Sequence, residues 1–251
     1  MDGHHVSSDR VTLYVKKATH TSGPNVAKLL ILLDLLHIPY DYKVLTSPSE
    51  SEWFGEINPY KMVPAITSLE ESVVIQQEGG REKEDKATAV LNVFESSACL
   101  TFLADKYDRE GLYKGKTLAE RARVSSWLMA YTAGLGPTGK WWLTLKVGHA
   151  STIGNALEIL AAAIKKEYSI LEARLNEPGQ QYIALADRLT IADIAILPFA
   201  NAQIAMSAQI EFGEYPALKA WSEKVLAMPE VGRAFMRVQT FGHEDEAKEE
   251  R

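Results

Sequence analysis

Two stretches of the chain offer polar groups to a small molecule. In Asn58-Pro59-Tyr60-Lys61-Met62-Val63-Pro64-Ala65-Ile66 the last residues have strand character, yet Pro64 has no N–H to give a ladder. Two arrangements resolve this. A turn with a cis Val63-Pro64 bond can precede the strand and leave the backbone N–H and C=O of Val63 open to a ligand, or Pro64 sits in an edge strand. In Phe94-Glu95-Ser96-Ser97, Ser96 stands where a helix opens, as an N-cap residue does. The only thiol is Cys99, on the apolar side of that helix, where a buried structural role suits it.

The elements that must position these groups follow from the apolar pattern. Val11 to Val15 is a short β-rich run; Pro24 then suits the first turn of a helix carrying Val26, Leu29, Leu30, Leu33 and Leu36. His37-Ile38-Pro39 ends it, and Tyr40 to Leu45 reads as a second strand. A β-α-β start favours parallel strands joined by a right-handed crossover. Thr46 to Glu56 reads as a loop with a short helix. Val73-Val74-Ile75 and Val90-Leu91-Asn92-Val93 read as a strand pair, with the polar Gln76 to Thr88 as a mobile excursion between them. The helix with Ala98, Cys99, Phe102 and Leu103 completes a β-α-β, β-β-α order.

Gly111 to Thr117 reads as a linker, and the pattern beyond it is helical. Val124, Trp127, Leu128 and Tyr131 mark one helix, stopped near Gly134-Leu135-Gly136-Pro137. Ile153 to Leu175 marks a long one. Thr190-Ile191-Ala192-Asp193 has the spacing of a capping box before the apolar run Ile194 to Phe199, and Pro216 to Met228 marks another helix.

Composition excludes several classes. The chain has 251 residues, 46% hydrophobic and 24% charged, as an ordinary globular protein has. The net charge is −6 without a Lys/Arg cluster, which argues against nucleic acid or an anionic membrane as main partner. No apolar run approaches the roughly 18 residues of a membrane span. The polar start Met1 to Arg10 has no apolar core of a secretory signal, and a single cysteine fits a reducing compartment, so a cytoplasmic protein is expected.

Four segments together resemble one family, the cytosolic glutathione transferases, from about Val11 to Arg237. They are Asn58-Pro59-x-x-x-Val63-Pro64-Ala65; Phe94-Glu95-Ser96-Ser97-Ala98 with Phe102-Leu103-Ala104-x-Lys106-Tyr107; Leu189-Thr190-Ile191-Ala192-Asp193-Ile194; and Pro216-Ala217-Leu218-x-Ala220-Trp221. Ser22-Gly23-Pro24-Asn25 resembles the fungal branch related to the yeast nitrogen-catabolite regulator, a branch that includes natural-product-cluster transferases of the gliotoxin type.

The resemblance implies an N-terminal thioredoxin-like domain (βαβ-ββα, cis-Pro) over residues 9–108 and an all-helical domain over residues 118–240. It implies glutathione as co-substrate or cofactor without a metal, a hydrophobic small molecule as second substrate, and a homodimer. Val63, before the cis Pro64 of the glutathione site, would pair its backbone with the cysteinyl backbone, and Glu95 and Ser96 would grip the γ-glutamyl end. Asn25 is the first choice to stabilise the thiolate, helped by the helix N-terminus at Pro24; Ser22 and Tyr14 are rivals, because other branches use Ser or Tyr there.

The sequence departs from the branch at Met62, where a basic residue often stands, and at Ser49-Glu50, where a His would reach the glycine carboxylate. Lys61 or Lys43 is left for that carboxylate. Gly136-Pro137-x-Gly139 resembles a fungal signature, followed here by Lys140 in place of Gln. Lys140 would bind an anionic group or act as general acid, or else lie along tryptophan surface. Trp141 and Trp142 would form an aromatic wall or be core, and Tyr14 would lie near the second substrate or in the core. Conjugation, glutathione-dependent cis–trans isomerisation and a non-catalytic regulatory module all fit this fold; a leader of only about ten residues, Met1 to Arg10, weighs against the regulator.

Overall fold

The computed structural model describes residues 10–18, 23–78, 81–149 and 155–243. Its first half is a four-stranded mixed sheet in the order β2-β1-β3-β4. Strand β1 (Val11–Lys16) is followed by helix α1 (Gly23–Leu35) and β2 (Tyr40–Leu45), and β2 runs parallel to β1. Two 3-10 turns, Pro48–Glu50 and Trp53–Glu56, lead to β3 (Ala65–Glu78), which is antiparallel both to β1 and to β4 (Arg81–Phe94). Helix α2 (Ser96–Tyr107) closes this half. This is the thioredoxin-like topology expected.

Pro64 stands immediately before β3, so its missing N–H removes nothing from the ladder. The Val63–Pro64 bond is cis.

The excursion between the strands is a correction. Gln76 to Thr88 was expected as a loop, yet β3 runs to Glu78 and β4 resumes at Arg81. The register also differs: Val73 to Ile75 pair with Lys86 to Glu84, and Val90 to Val93 pair with Leu69 to Ile66. Only Ala65, Ile66 and Thr67 of β3 also pair with β1. Beyond them the hairpin is, among the described residues, a two-stranded ribbon. Such a ribbon needs no apolar alternation, so polar composition was a poor guide there.

The second half is helical: α3 (Leu118–Ala133), α4 (Leu135–His149), α5 (Ala156–Leu175), α6 (Ile191–Ile196), α7 (Ala202–Ser207), α8 (Pro216–Leu226) and α9 (Pro229–Val238). The segment before α3 is a built connection. Buried Asp108 accepts from the backbone N–H groups of Leu112 (2.9 Å), Tyr113 (2.7 Å) and Lys114 (2.9 Å). Gly134 does end α3, but the Gly136-Pro137 pair lies inside the first turn of α4, where proline is tolerated. The long helix α5 begins at Ala156; Ile153, expected at its start, lies outside the described residues.

One apolar core joins the halves. Leu29, Ile31, Leu32 and Leu33 of α1 are buried with Leu128 of α3, Ile194 of α6 and Val231 of α9. The capping box is formed as expected, with Asp193 accepting from the Thr190 N–H at 2.9 Å.

Candidate active site

A cleft of about 470 Å³ lies where the N-termini of α1 and α2, the loop before Pro64 and helix α4 converge. Its loop wall is set by Asn58, which is almost fully buried. The Asn58 Nδ2 donates to the Met62 carbonyl (2.7 Å), and its Oδ1 accepts from the Tyr60 N–H (3.0 Å). The Lys61 N–H donates to the Asn58 carbonyl (2.8 Å), with Lys61 in the left-handed region at φ 49°. These bonds hold Lys61, Met62, Val63 and Pro64 against the cleft.

Helix α2 supplies the second wall. Its N-cap is Glu95 and Ser96 is its first helical residue, a shift of one position from the sequence reading. Glu95 has φ 68° and makes no side-chain cap bond. A non-glycine residue held in the left-handed region is strained by about 1–3 kcal/mol, and such strain clusters at sites that use it. Glu95, Ser96 and Ser97 line the cleft at the start of α2, where the first amides of a helix have no partner within it. Ser97 Oγ and Thr132 Oγ1 lie 2.7 Å apart, tying α2 to α3. Thr132 Oγ1 donates onward to the Leu128 carbonyl (2.8 Å), so Ser97 is the donor between them.

The third wall is the start of α1. Pro24 and Asn25 line the cleft. One turn on, fully buried Lys28 donates from Nζ to Asn25 Oδ1 (2.8 Å), to Ser96 Oγ (3.3 Å) and to the Tyr131 hydroxyl. Its Nζ also lies 4.2 Å from the Tyr131 ring centroid and 5.3 Å from that of Phe199. Burial pushes the Lys28 ammonium well below the ordinary lysine range, partly opposed by the charge of Glu95.

Helix α4 forms the outer wall. A Cβ on Gly139 would stand 2.4 Å from the Phe199 ring, and one on Gly136 would stand 2.9 Å from the Tyr131 ring. These glycines let α4 press onto the two aromatics that enclose Lys28. Lys140 reaches Met62 Sδ at 3.3 Å across the cleft mouth, and Trp141 is 55% exposed on the cleft side.

The expected site residues divide by place. Asn25, Lys61, Met62, Val63, Pro64, Glu95, Ser96, Lys140 and Trp141 come together at the cleft. Trp142 does not: it is 3% exposed and borders a neighbouring cavity of about 930 Å³ that shares Pro24 and Leu143 with the first. Tyr14 is also elsewhere. It is buried with Leu45, Phe54 and Ala65 and packs its ring on Phe54, because its position in β1 faces the core layer under the 3-10 turns. Ser22 lies outside the described residues. Lys43 stands over the Tyr14 and Trp53 rings, away from the cleft.

Sequence reasoning missed Lys16, which lines the cleft, and Lys28, which underlies it. For Lys28 a signal existed: it interrupts Val26-Ala27 and Leu29 to Leu33, a helix apolar on every side, where an unpaired lysine would be very costly. Cys99 is buried, donates weakly to the Val93 carbonyl at 3.4 Å and is held in its thiol form by burial, so it takes no part in the cleft. Among the described residues no group of three or more His, Cys, Asp or Glu is placed to hold a metal ion. No helix among them is long and apolar enough to cross a membrane.

Comparison with known proteins agrees with this geometry. The family model "Glutathione S-transferase, N-terminal domain" matches residues 22–106, and "Glutathione S-transferase, C-terminal domain" matches residues 140–229. Over 229 residues the chain is 48% identical to glutathione S-transferase sirG of Leptosphaeria maculans, covering 91% of this chain and 92% of that one. It is 46% identical to glutathione S-transferase tcpG of Claviceps purpurea, covering 91% and 88%. Among solved structures, the glutathione transferase URE2P6 of Phanerochaete chrysosporium in complex with oxidized glutathione superposes with a TM-score of 0.73 at 24% identity, over 92% of this chain and 97% of that one. The chain belongs to the glutathione S-transferase family.

Proposed function

We propose that the protein binds glutathione in the 470 Å³ cleft and adds its thiolate to a hydrophobic electrophile. The observation that carries this reading is the convergence of Asn25, Val63 and the Glu95-Ser96 helix start on one cavity. Glutathione brings two carboxylates, one ammonium and, when ionised, a thiolate. The first-turn amides of α2 and the Ser96 hydroxyl meet the γ-glutamyl carboxylate, Glu95 meets the ammonium, and the Val63 backbone pairs with the cysteinyl peptide. Lys61 and Lys16 line the same cleft and offer cations to the glycine carboxylate.

The sulfur then lies at the N-terminus of α1. The Asn25 amide and the positive end of the helix favour the thiolate over a thiol whose ordinary pKa is about 8.5. The electrophile lies against Trp141 and Leu143, with Lys140 beside it to hold an anionic group or to protonate the atom that gains charge when the C–S bond forms. The sulfur's lone pair makes that bond, the electrophile's electron pair moves to the protonated atom, and no oxidant is needed.

The resemblance to the fungal branch that includes natural-product-cluster transferases supports a natural-product intermediate as the electrophile, and we place the reaction in the cytoplasm. Reversible addition of the same thiolate to a conjugated double bond would isomerise it with no net conjugation. Mass detection of the products of a two-substrate assay separates these outcomes: a conjugate carries the mass of both reactants, and an isomer does not. Calorimetric titration with millimolar glutathione comes first, and an absence of binding would sink the whole reading. We also propose a two-fold homodimer, tested by light scattering at micromolar concentration, where a monomer alone refutes it.

A further inference from the structure

Lys28 touches no solvent and does not line the cleft. Each polar contact of its Nζ is to a residue that does: Asn25 on α1, Ser96 on α2 and Tyr131 on α3. While it is protonated, the amine has three hydrogens and no lone pair, so it meets all three partners as a donor. Each of them is ambivalent by itself. A carboxamide can present its oxygen or its NH₂, and a hydroxyl can accept or donate.

We infer that Lys28 is a positioning residue that fixes the polarity of the glutathione site, taking the acceptor face of Asn25, Ser96 and Tyr131 so that each presents a donor to the cleft. Because Nζ occupies Asn25 Oδ1, Nδ2 is the end left for the sulfur. Because Nζ occupies the oxygens of Ser96 and Tyr131, their hydroxyl hydrogens are left for anionic oxygens of the ligand. The amide orientation is settled by chemistry, since the reversed carboxamide would set NH₂ against ammonium. An Asn25 free to turn would spend part of its time with an oxygen against the thiolate, which disfavours the charged form. Tyr131 and Phe199, held by α4, box the ammonium and keep water from substituting for it.

This inference rests on the proposed use of Asn25 and Ser96 as donors to glutathione, so the experiment separates the two. Glutathione and S-methylglutathione are titrated calorimetrically into wild type, Lys28→Met, Asn25→Ala and Ser96→Ala, and the pH at which bound thiolate absorbs in the ultraviolet is followed. Lys28→Met keeps the length and loses the donors. It is expected to weaken glutathione about tenfold and to raise the thiolate pH by about one unit. In an Asn25→Ala background the same change should leave the thiolate pH where Asn25→Ala puts it.

If Asn25→Ala and Ser96→Ala both behave as wild type, the donor reading fails. If they lose affinity or ionisation while Lys28→Met keeps both, the donor reading stands and the role given to Lys28 is overturned. Should Lys28→Met not fold, isotope-edited NMR of the wild type decides. The Asn25 side-chain amide protons should shift on adding glutathione and not on adding S-methylglutathione; no shift with either ligand overturns the inference.

Discussion

Among the described residues two charged side chains, Asp193 and Lys28, lie fully buried, and their surroundings are opposite in kind. Asp193 receives four hydrogen bonds: from the backbone of Ile183 (2.7 Å) and Thr190 (2.9 Å), the Thr190 hydroxyl (2.7 Å) and Trp221 Nε1 (3.0 Å). All four come from within the helical half. Lys28 gives its hydrogens to Asn25, Ser96 and Tyr131, on three different helices and all at the cleft. Burial pushes the Asp193 carboxyl up and its donors pull it down, whereas burial pushes Lys28 down and Glu95 opposes. A buried charge satisfied by its own scaffold holds the fold. One satisfied by the side chains of a cavity holds the cavity's chemistry.

The comparison breaks most visibly at Asp193. Asp193→Ala leaves four buried donors without an acceptor, each costing about 1–3 kcal/mol. We expect a loss of about 4 kcal/mol or more in denaturant unfolding, with glutathione affinity of the folded fraction unchanged. A variant of normal stability, or one folded but blind to glutathione, would remove the distinction between the two charges.

Next in size is Asn25→Ala, which should show the reverse pattern. Turnover is expected to fall roughly tenfold to a thousandfold, the range for removing one donor to a developing or stabilised anion. Stability should fall by no more than about 2 kcal/mol, because Ser96 and Tyr131 still hold the Lys28 ammonium. If turnover is kept, the thiol is ionised by another group, and Ser22 is the next residue to change.

The same contrast explains what the sequence disclosed. The Thr190 to Asp193 box is a local pattern of three residues' separation, and a local pattern carries its own geometry. The turn before Pro64 is equally local, since Asn58 bonds to Phe54, Tyr60, Lys61 and Met62, each within four residues of it. Lys28 depends on partners 68 and 103 residues away, and no spacing rule connects them. In a helix a lysine ordinarily marks the solvent face, and only the apolar neighbours of Lys28 on every side speak against that. Polarity misled again in the ribbon of β3 and β4, where backbone pairing continues through a polar stretch of sequence. Helix α4 was obscured by Gly136, Pro137 and Gly139, residues that usually break helices. Here they serve close packing on Tyr131 and Phe199.

The smallest expected effect is on the pH dependence of stability, and its sign is fixed by Lys28. The folded state holds this amine below the ordinary lysine value of 10.5, while the unfolded chain leaves it there. Between the lowered value and 10.5 the unfolded state therefore binds more protons than the folded one. Stability must rise with pH across that window and stop rising once the unfolded lysine has also lost its proton. The groups facing Nζ do not reverse this. Glu95 raises the Lys28 value without cancelling the effect of burial, and Tyr131 is held in its neutral form by burial, so it brings no charge of its own until still higher pH. Lys28→Met removes the titrating group and should flatten the rise, measured as the slope of unfolding free energy on the alkaline side, up to about pH 10. Asn25→Ala keeps the amine buried and should keep the slope. If Lys28→Met and wild type rise in parallel, the proton comes from another group and Lys28 carries its charge in the fold much as a paired surface lysine does.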